Sequence, residues 1–495
     1  MKRILYILLL IPAVAAGQTR AQQYIDSLMR CEPFRSSQLG VLAIKANGDT
    51  VARYGFVQRM VPASNVKLLT TGLALSELGS DWRYPTSIGY SGQIVEGVLK
   101  GDLYIVGGGD PTLASRDSIA KGIDGVFASW KAIISKAGIK KIEGLVIGDG
   151  RYFDGDGELP SWLYEDIGTY YGTGSCGLNF YRNKKDFRVS AGAKPGDELK
   201  IEPGYPDTPW MRYDYRCSTG KNGTGDQLFL YTNDLAPIGE LRGTFAADRK
   251  PKTVECSNKY PSLTCAREFY KYLKACGLSS SGYADVDKDG LIRQDPSSGG
   301  SAKASTDVII IGDTKSPTIG KICYIVNQRS DNFYAETLLR TLSKIKTGSA
   351  CYDSCQVTVP DAFKRLGLNP SLGVDIYDGS GLSRRNTVSP EFFCTFLKAM
   401  LYSSSCEAFV STLTSPGKGS QIGRMRKEPA ELRDRIFYKS GSMGGVRCYS
   451  GYAIPTDGGK EDTIIFSVML NNFSGLSWMA MSRIDRMIAL IASEN

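Results

Sequence analysis

The ten residues Val61-Pro62-Ala63-Ser64-Asn65-Val66-Lys67-Leu68-Leu69-Thr70 constrain this chain more than any other stretch. A proline ahead of a serine, with an apolar run behind it (Val66, Leu68, Leu69, Leu73, Leu75, Leu78), predicts a buried helix that starts here and ends near Gly79. Residues three apart share a helix face, so the Lys67 amine is within reach of the Ser64 hydroxyl. The unpaired N–H groups and positive dipole end of such a helix suit a developing anion. Ser-x-x-Lys alone is a weak signal. It recurs at Ser118/Lys121, Ser218/Lys221, Ser343/Lys346 and Ser415/Lys418, where a capped or solvated helix face is the ordinary reading.

Composition sharpens the choice of chemistry. The chain has no histidine, which removes every Ser-His-Asp and Cys-His arrangement and every zinc site that needs imidazole. A serine nucleophile here needs another base, and lysine is the leading option. With 495 residues and 55 glycines, the chain has room for two or three domains with a strand- and turn-rich body. The formal charge of +9 is scattered, and no nucleic-acid module is visible.

Lys2-Arg3, the apolar run Ile4 to Ala16 and the small residues closing it read as a secretory signal peptide over 1–16. No later run is long enough to span a bilayer, so the expectation is a periplasmic protein without stable membrane insertion. Twelve cysteines in an exported chain leave disulfides and buried thiols equally open. Cys351 and Cys355 are close in sequence, but pairs cannot be assigned.

Along the chain, 21–31 reads as a helix and Leu39–Val57 as a hairpin turning at Asn47-Gly48-Asp49. Short strands are expected at 89–92, 98–106 and 144–147, with helices at 119–137 and 262–275. Residues 180–250 read as a small β unit, and the Ser/Gly-rich stretch 295–305 as a linker. Helices follow at 319–326, 333–345 and within 387–414. Strands at 435–440, 446–454 and 463–470 and an amphipathic helix at 478–491 close the chain. The fold class is α/β, a helix–sheet–helix domain formed by 21–85 plus 304–495 and interrupted by a β-rich insertion over 86–303.

Two further motifs join the first. Ser330-Asp331-Asn332 lies between two helical patterns, and Lys439-Ser440-Gly441 ends a strand-like run. Lys346-Thr347-Gly348 is a decoy at a helix end, where lysine and glycine are ordinary C-terminal residues. Ser-x-x-Lys, Ser-x-Asn and Lys-[Thr/Ser]-Gly in that order form the motif set of penicillin-interacting serine enzymes. More than half the chain separates Ser64 from Ser330. In this the chain resembles the class C low-molecular-mass penicillin-binding proteins, the D-alanyl-D-alanine carboxypeptidase/endopeptidase family of penicillin-binding protein four type. The likeness also covers Gly101-Asp102-Leu103-Tyr104, Gly107-Gly108-Gly109-Asp110-Pro111, Phe333-Tyr334-Ala335-Glu336 and Asp378-Gly379-Ser380-Gly381-Leu382-Ser383-Arg384. Two departures stand out: Ser440 replaces the usual Thr, and Gly444-Gly445 lie where polar substrate contacts are expected.

The resemblance implies a penicillin-binding/β-lactamase-like transpeptidase domain that acts on peptidoglycan stem peptides and is inhibited by β-lactams, with no metal or cofactor. It implies Ser64 as nucleophile, Lys67 as base, Ser330 as proton relay and Asn332 as a holder of Lys67 and substrate. Lys439, Ser440 and Arg384 would bind the terminal carboxylate beside Gly441, and the N–H groups of Ser64 and Ser442 would form the oxyanion hole. A neutral fraction of about a tenth at pH 7 needs a Lys67 pKa near ~8, a shift of about 3 kcal/mol. Burial and the like charge of Lys439 are expected to drive it. Asp149 or Arg151 would read a diaminopimelyl side chain, unless that stretch is a plain surface turn. Asp285-Val286-Asp287-Lys288-Asp289-Gly290 begins like a calcium loop but has Pro296 where the bidentate Glu belongs, which favours a turn. None of Glu336, Glu391, Glu407, Glu428 or Glu431 has Asn four on, which argues for slow deacylation. A β-lactamase or esterase on the same scaffold and a weakly catalytic wall-binding protein are the competing readings.

Overall fold

The computed structural model describes residues 18–298, 300, 302–475 and 477–494. The expected signal peptide, 1–16, lies outside them. A five-stranded antiparallel sheet is assembled from both ends of the chain, in the order Thr50–Tyr54, Gln38–Lys45, Ile464–Asn471, Val446–Ala453, Ile436–Met443. Its first two strands form the predicted hairpin, closed at Asn47, whose side chain accepts the Asp49 N–H at 2.9 Å. The strand Ile464–Asn471 is buried along its whole length, as expected for a central strand covered on both faces.

Helices cover both faces. On one, Arg20–Leu28 and Ser477–Ala492 bury Ala21, Ile25, Leu28, Ile484, Met487 and Ile488 against Val41, Phe466 and Val468. On the other, Val66–Leu78, Ile319–Arg329, Asn332–Thr347, Tyr352–Arg365 and Pro390–Tyr402 build the larger core around Leu68, Leu69, Leu338, Phe393 and Phe396. The helix Tyr352–Arg365, with Pro360 inside it, escapes the sequence reading. Proline inside a helical pattern reads as a breaker.

Between 85 and 315 lies the inserted region. Its seven-stranded sheet contains parallel pairs of Leu103–Gly107 with Leu145–Asp149 and of the latter with Gly282–Val286. The helices Gly122–Lys136 and Pro261–Ala275 connect these strands through a core of Phe127, Trp130 and Phe269. The expected return to the first domain at 304 falls inside this unit, because Ile309–Lys315 pairs with Pro85–Tyr90. The stretch read as a linker carries Ala302–Lys303, which pairs with Leu291–Ile292. The small β unit runs to Ser257, where Lys252–Ser257 joins Lys184–Ser190 and Lys200–Pro203. The calcium-like stretch is a hairpin turn: Arg293 binds Asp285 at 2.8 and 3.0 Å, and Asp287 accepts the Leu291 N–H at 2.8 Å. All twelve cysteines are unpaired, and Cys323, Cys394 and Cys448 pack as buried thiols in the main core.

Candidate active site

Ser64 sits in a single 3-10 turn, Ala63–Asn65, that runs into the helix Val66–Leu78. Ala63 holds φ +46, a strained value for a residue with a side chain. Two close approaches fix the turn. A Cβ on Gly381, itself at φ +84, would lie 1.9 Å from the Ala63 carbonyl oxygen. A Cβ on Gly441 would lie 2.5 Å from the Pro62 oxygen and 3.1 Å from the Ser64 nitrogen. The Asn65 amide donates to Ser450 Oγ at 2.8 Å, tying the turn to the sheet.

Lys67 is fully buried beneath Ser64. Its Nζ lies 2.8 Å from Ser64 Oγ, 2.8 Å from Asn332 Oδ1 and 2.6 Å from the Ser380 carbonyl oxygen. Two of these partners can only accept. A neutral amine has two N–H bonds and one lone pair, so with Asn332 Oδ1 and Ser380 O taking the hydrogens, the lone pair faces the Ser64 hydroxyl. Burial lowers the Lys67 pKa to about 8, while Glu336, Asp378 and Asp331 oppose that fall. The expected push on Lys67 from Lys439 is instead felt by Lys439. That amine is buried and held well below the usual lysine value, first by desolvation and then by Lys67.

Lys439 Nζ donates to Ser330 Oγ at 2.9 Å and to the Ser440 carbonyl at 2.6 Å. Ser330 closes the helix Ile319–Arg329 in the left-handed conformation, φ +57, and Asn332 opens the next helix after the N-cap Asp331. The Asn332 amide donates to the Tyr171 carbonyl at 2.9 Å. Ser440 accepts from Gln421 Nε2 at 3.2 Å, and Arg384 donates to the Gly444 carbonyl at 3.3 Å.

A cleft of about 420 Å³ opens on these groups, lined by Ser64, Ser330, Asn332, Arg384, Ser442 and Gly444 on one side. From the inserted region it receives Leu163, Glu165, Asp166, Tyr170, Tyr171 and Arg182. Asp149 is not brought there. It is buried at the end of Leu145–Asp149, and Arg151 saturates it with its backbone N–H at 3.0 Å and its guanidinium at 2.9 and 2.6 Å. Arg151 lines a different cavity. The carboxylates that the insertion does bring to the cleft are Glu165 and Asp166, of which Asp166 accepts from Tyr171 Oη at 2.9 Å and has its pKa raised by burial.

The decoy behaves as a helix end. Gly348 caps the helix Asn332–Thr347 at φ +82, and Lys346 pairs with Glu77 at 2.6 Å. Two carboxylates beneath the site have no role in the motif reading. Glu336 is fully buried and accepts the N–H groups of Gly379 at 3.0 Å and Ser380 at 2.8 Å. Asp378 accepts from the Gly381 and Ser383 N–H groups at 2.8 and 2.6 Å and from Trp162 Nε1 at 2.9 Å. Burial raises both carboxyls, Glu336 to about 8 with Asp378 as the next cause. Together they set the loop whose Ser380 carbonyl takes a Lys67 hydrogen.

A model of the D-Ala-D-Ala carboxypeptidase 3 (S13) family matches residues 21–494. The chain belongs to this family. The S13 enzymes are peptidases, hence hydrolases, and this chain is one of them. It is 27% identical over 492 residues to a D-alanyl-D-alanine carboxypeptidase from Actinomadura sp. (strain R39), covering 95% of this chain and 84% of the relative. Its fold matches the crystal structure of penicillin binding protein 4 from Haemophilus influenzae with a TM-score of 0.76, at 20% identity, over 95% of this chain and 98% of that one. The same protein complexed with a β-lactam matches with a TM-score of 0.71, again at 20% identity over 95% and 98% of the two chains. The α/β penicillin-binding fold with extra domains is therefore the fold of this S13 peptidase.

Proposed function

We propose that this S13 peptidase cleaves the terminal D-Ala-D-Ala bond of peptidoglycan stem peptides, and cross-links to a D-alanine carbonyl, through an acyl-enzyme on Ser64. The observation that carries the reading is the Lys67 amine. It is buried, has a pKa of about 8 and makes three hydrogen bonds, of which only the one to Ser64 offers a proton.

Lys67 takes the Ser64 proton as Oγ bonds to the carbonyl carbon. The oxyanion forms between the N–H groups of Ser64 and Ser442. Ser330, held by Lys439, relays the proton taken up by Lys67 to the leaving amine as the C–N bond breaks, which returns Lys67 to its neutral form, and water then hydrolyses the ester. The substrate carboxylate lies by Lys439, Ser440 and Arg384, where its charge favours the protonated form of Lys439. Gly441 keeps the strand edge close to the Ser64 turn. Asp166 lines the same cleft from the inserted region, which suits the amino group of a stem-peptide side chain. That assignment replaces Asp149.

β-Lactams acylate Ser64 and leave it slowly, since no Glu in the second half has Asn four on. The signal-like run at 4–16 supports action in the periplasm. Among the described residues no helix is long and apolar enough to cross a membrane.

Intact-mass spectrometry with benzylpenicillin tests the reading. The expected outcome is a one-to-one adduct mapped to Ser64 and absent from Ser64→Ala, with loss of D-alanine release from a stem peptide in the same variant. Penicillin consumed without a trapped adduct points to a β-lactamase. An adduct that survives in Ser64→Ala sinks the assignment.

A further inference from the structure

Ser330 and Asn332 flank Asp331, and that aspartate is gripped from the inserted region. Asp331 Oδ1 accepts the Tyr334 N–H at 3.0 Å and so caps its own helix. The other oxygen, Oδ2, is ion-paired with the Arg182 guanidinium. Arg182 reaches Asp117 at 3.3 Å with its second nitrogen, and its guanidinium lies 4.9 Å over the Tyr334 ring. The Tyr334 hydroxyl donates to Asp117, and Arg329 Nη1 meets the same carboxylate at 3.0 Å. Two carboxylates from two regions of the chain are thus bridged by Arg182 beside one aromatic ring, with Arg329 on Asp117 as a second cation.

The backbone that presents Arg182 is strained. Tyr181, Arg182 and Asn183 hold φ values of +52, +58 and +51, a left-handed turn that residues with side chains rarely sustain. Asn183 stabilises it, donating to the Gly174 and Asn179 oxygens at 2.9 Å while its own oxygen accepts the Phe180 N–H at 3.0 Å. Strain of this kind persists where the surroundings over-determine it. Here the turn keeps Tyr181 and Asn183 buried while Arg182 stands at the cleft wall.

We propose that Arg182 is a positioning residue for the peptidase site: it clamps Asp331 and so holds Ser330 at Lys439 and Asn332 at Lys67. This rests on the acyl-enzyme reading above. The clamp also has an electrostatic consequence. The charged groups facing Lys67 are Glu336, Asp378 and Asp331, with Lys439 as the neighbouring cation. Arg182 neutralises Asp331. Without it, the bare carboxylate holds the proton on Lys67 more tightly, and acylation needs a higher pH.

The test is the rate of acylation by benzylpenicillin against pH, using the full chain. Arg182→Met is expected to react on the order of 100-fold more slowly at neutral pH, with the midpoint of the pH profile moved to higher pH. Arg182→Lys restores the charge, and with it the midpoint, but less of the rate. Tyr334→Phe removes only the hydroxyl on Asp117 and decides the matter should Arg182→Met not fold; a several-fold slowing with an unchanged circular dichroism spectrum is expected. A folded Arg182→Met with the wild-type rate overturns the proposal. So does a slower rate with an unmoved midpoint, the mark of a merely structural tie. So, too, does a wild-type profile in Tyr334→Phe where Arg182→Met does not fold. A wild-type chain without a Ser64 adduct defeats the site assignment instead.

Discussion

Lys67 is a cation that finds no charge among its three hydrogen-bond partners. Burying an ammonium among neutral acceptors disfavours the charged form, and its pKa falls to about 8 even with three carboxylates nearby. The sign follows directly. On the proposed mechanism the base works when neutral, so the neutral fraction, and the acylation rate with it, rises about tenfold per pH unit below the pKa and levels off above it. Stopped-flow acylation with a chromogenic β-lactam is expected to show that slope and a plateau above the Lys67 pKa of about 8. A flat profile below that value would assign the base to another group.

At the scale of elements, the site is the place where a strand edge meets a helix start. Ile436–Met443 is the outer strand of the five-stranded sheet. Thr414 bridges it at Tyr438, and Lys439 to Met443 continue past the bridge, where an extended peptide can add alongside. Gly441 has no side chain because the strand passes against Pro62, Ser64 and Asn65. Gly441→Ala therefore forces the strand off the nucleophile turn. We expect a stability loss of about 1–3 kcal/mol and an acylation rate lower by on the order of 100-fold. Urea titration and adduct kinetics measure the two effects, and wild-type kinetics in this variant would refute the close approach.

The whole molecule is tied together across its two halves by buried polar contacts. Trp162 donates to Asp378 at 2.9 Å, and Ser161 Oγ lies 2.6 Å from Ser383 Oγ. Arg340, fully buried in the helix Asn332–Thr347, donates to the Asp154 carbonyl at 2.8 Å and to the Ser175 carbonyl. Separating the halves would take two carbonyl partners from a buried guanidinium and the indole donor from Asp378, at a cost of a few kcal/mol. The expectation is one cooperative thermal transition, with coincident near-UV and far-UV signals. Two separated transitions would show that the inserted region unfolds independently.

The three motifs, the α/β class and most helices and strands were legible in the chain, because each rests on short-range pattern. Ser64 and Lys67 share a helix face, Ser330 to Asn332 lie between two helical patterns, and strand and helix periods differ. The local signal failed where a residue breaks its own rule, as Pro360 does inside a helix, or where an Asp/Gly-rich turn resembled a functional loop, as at Asp149. What the tertiary structure alone decided is which distant groups share a buried space. Asp378, Tyr171 and Arg182 are brought to the motif residues by contacts between segments far apart in the chain. Their effect comes from desolvation and from charges brought within a few ångströms, quantities that depend on distance in space and leave no spacing in the sequence.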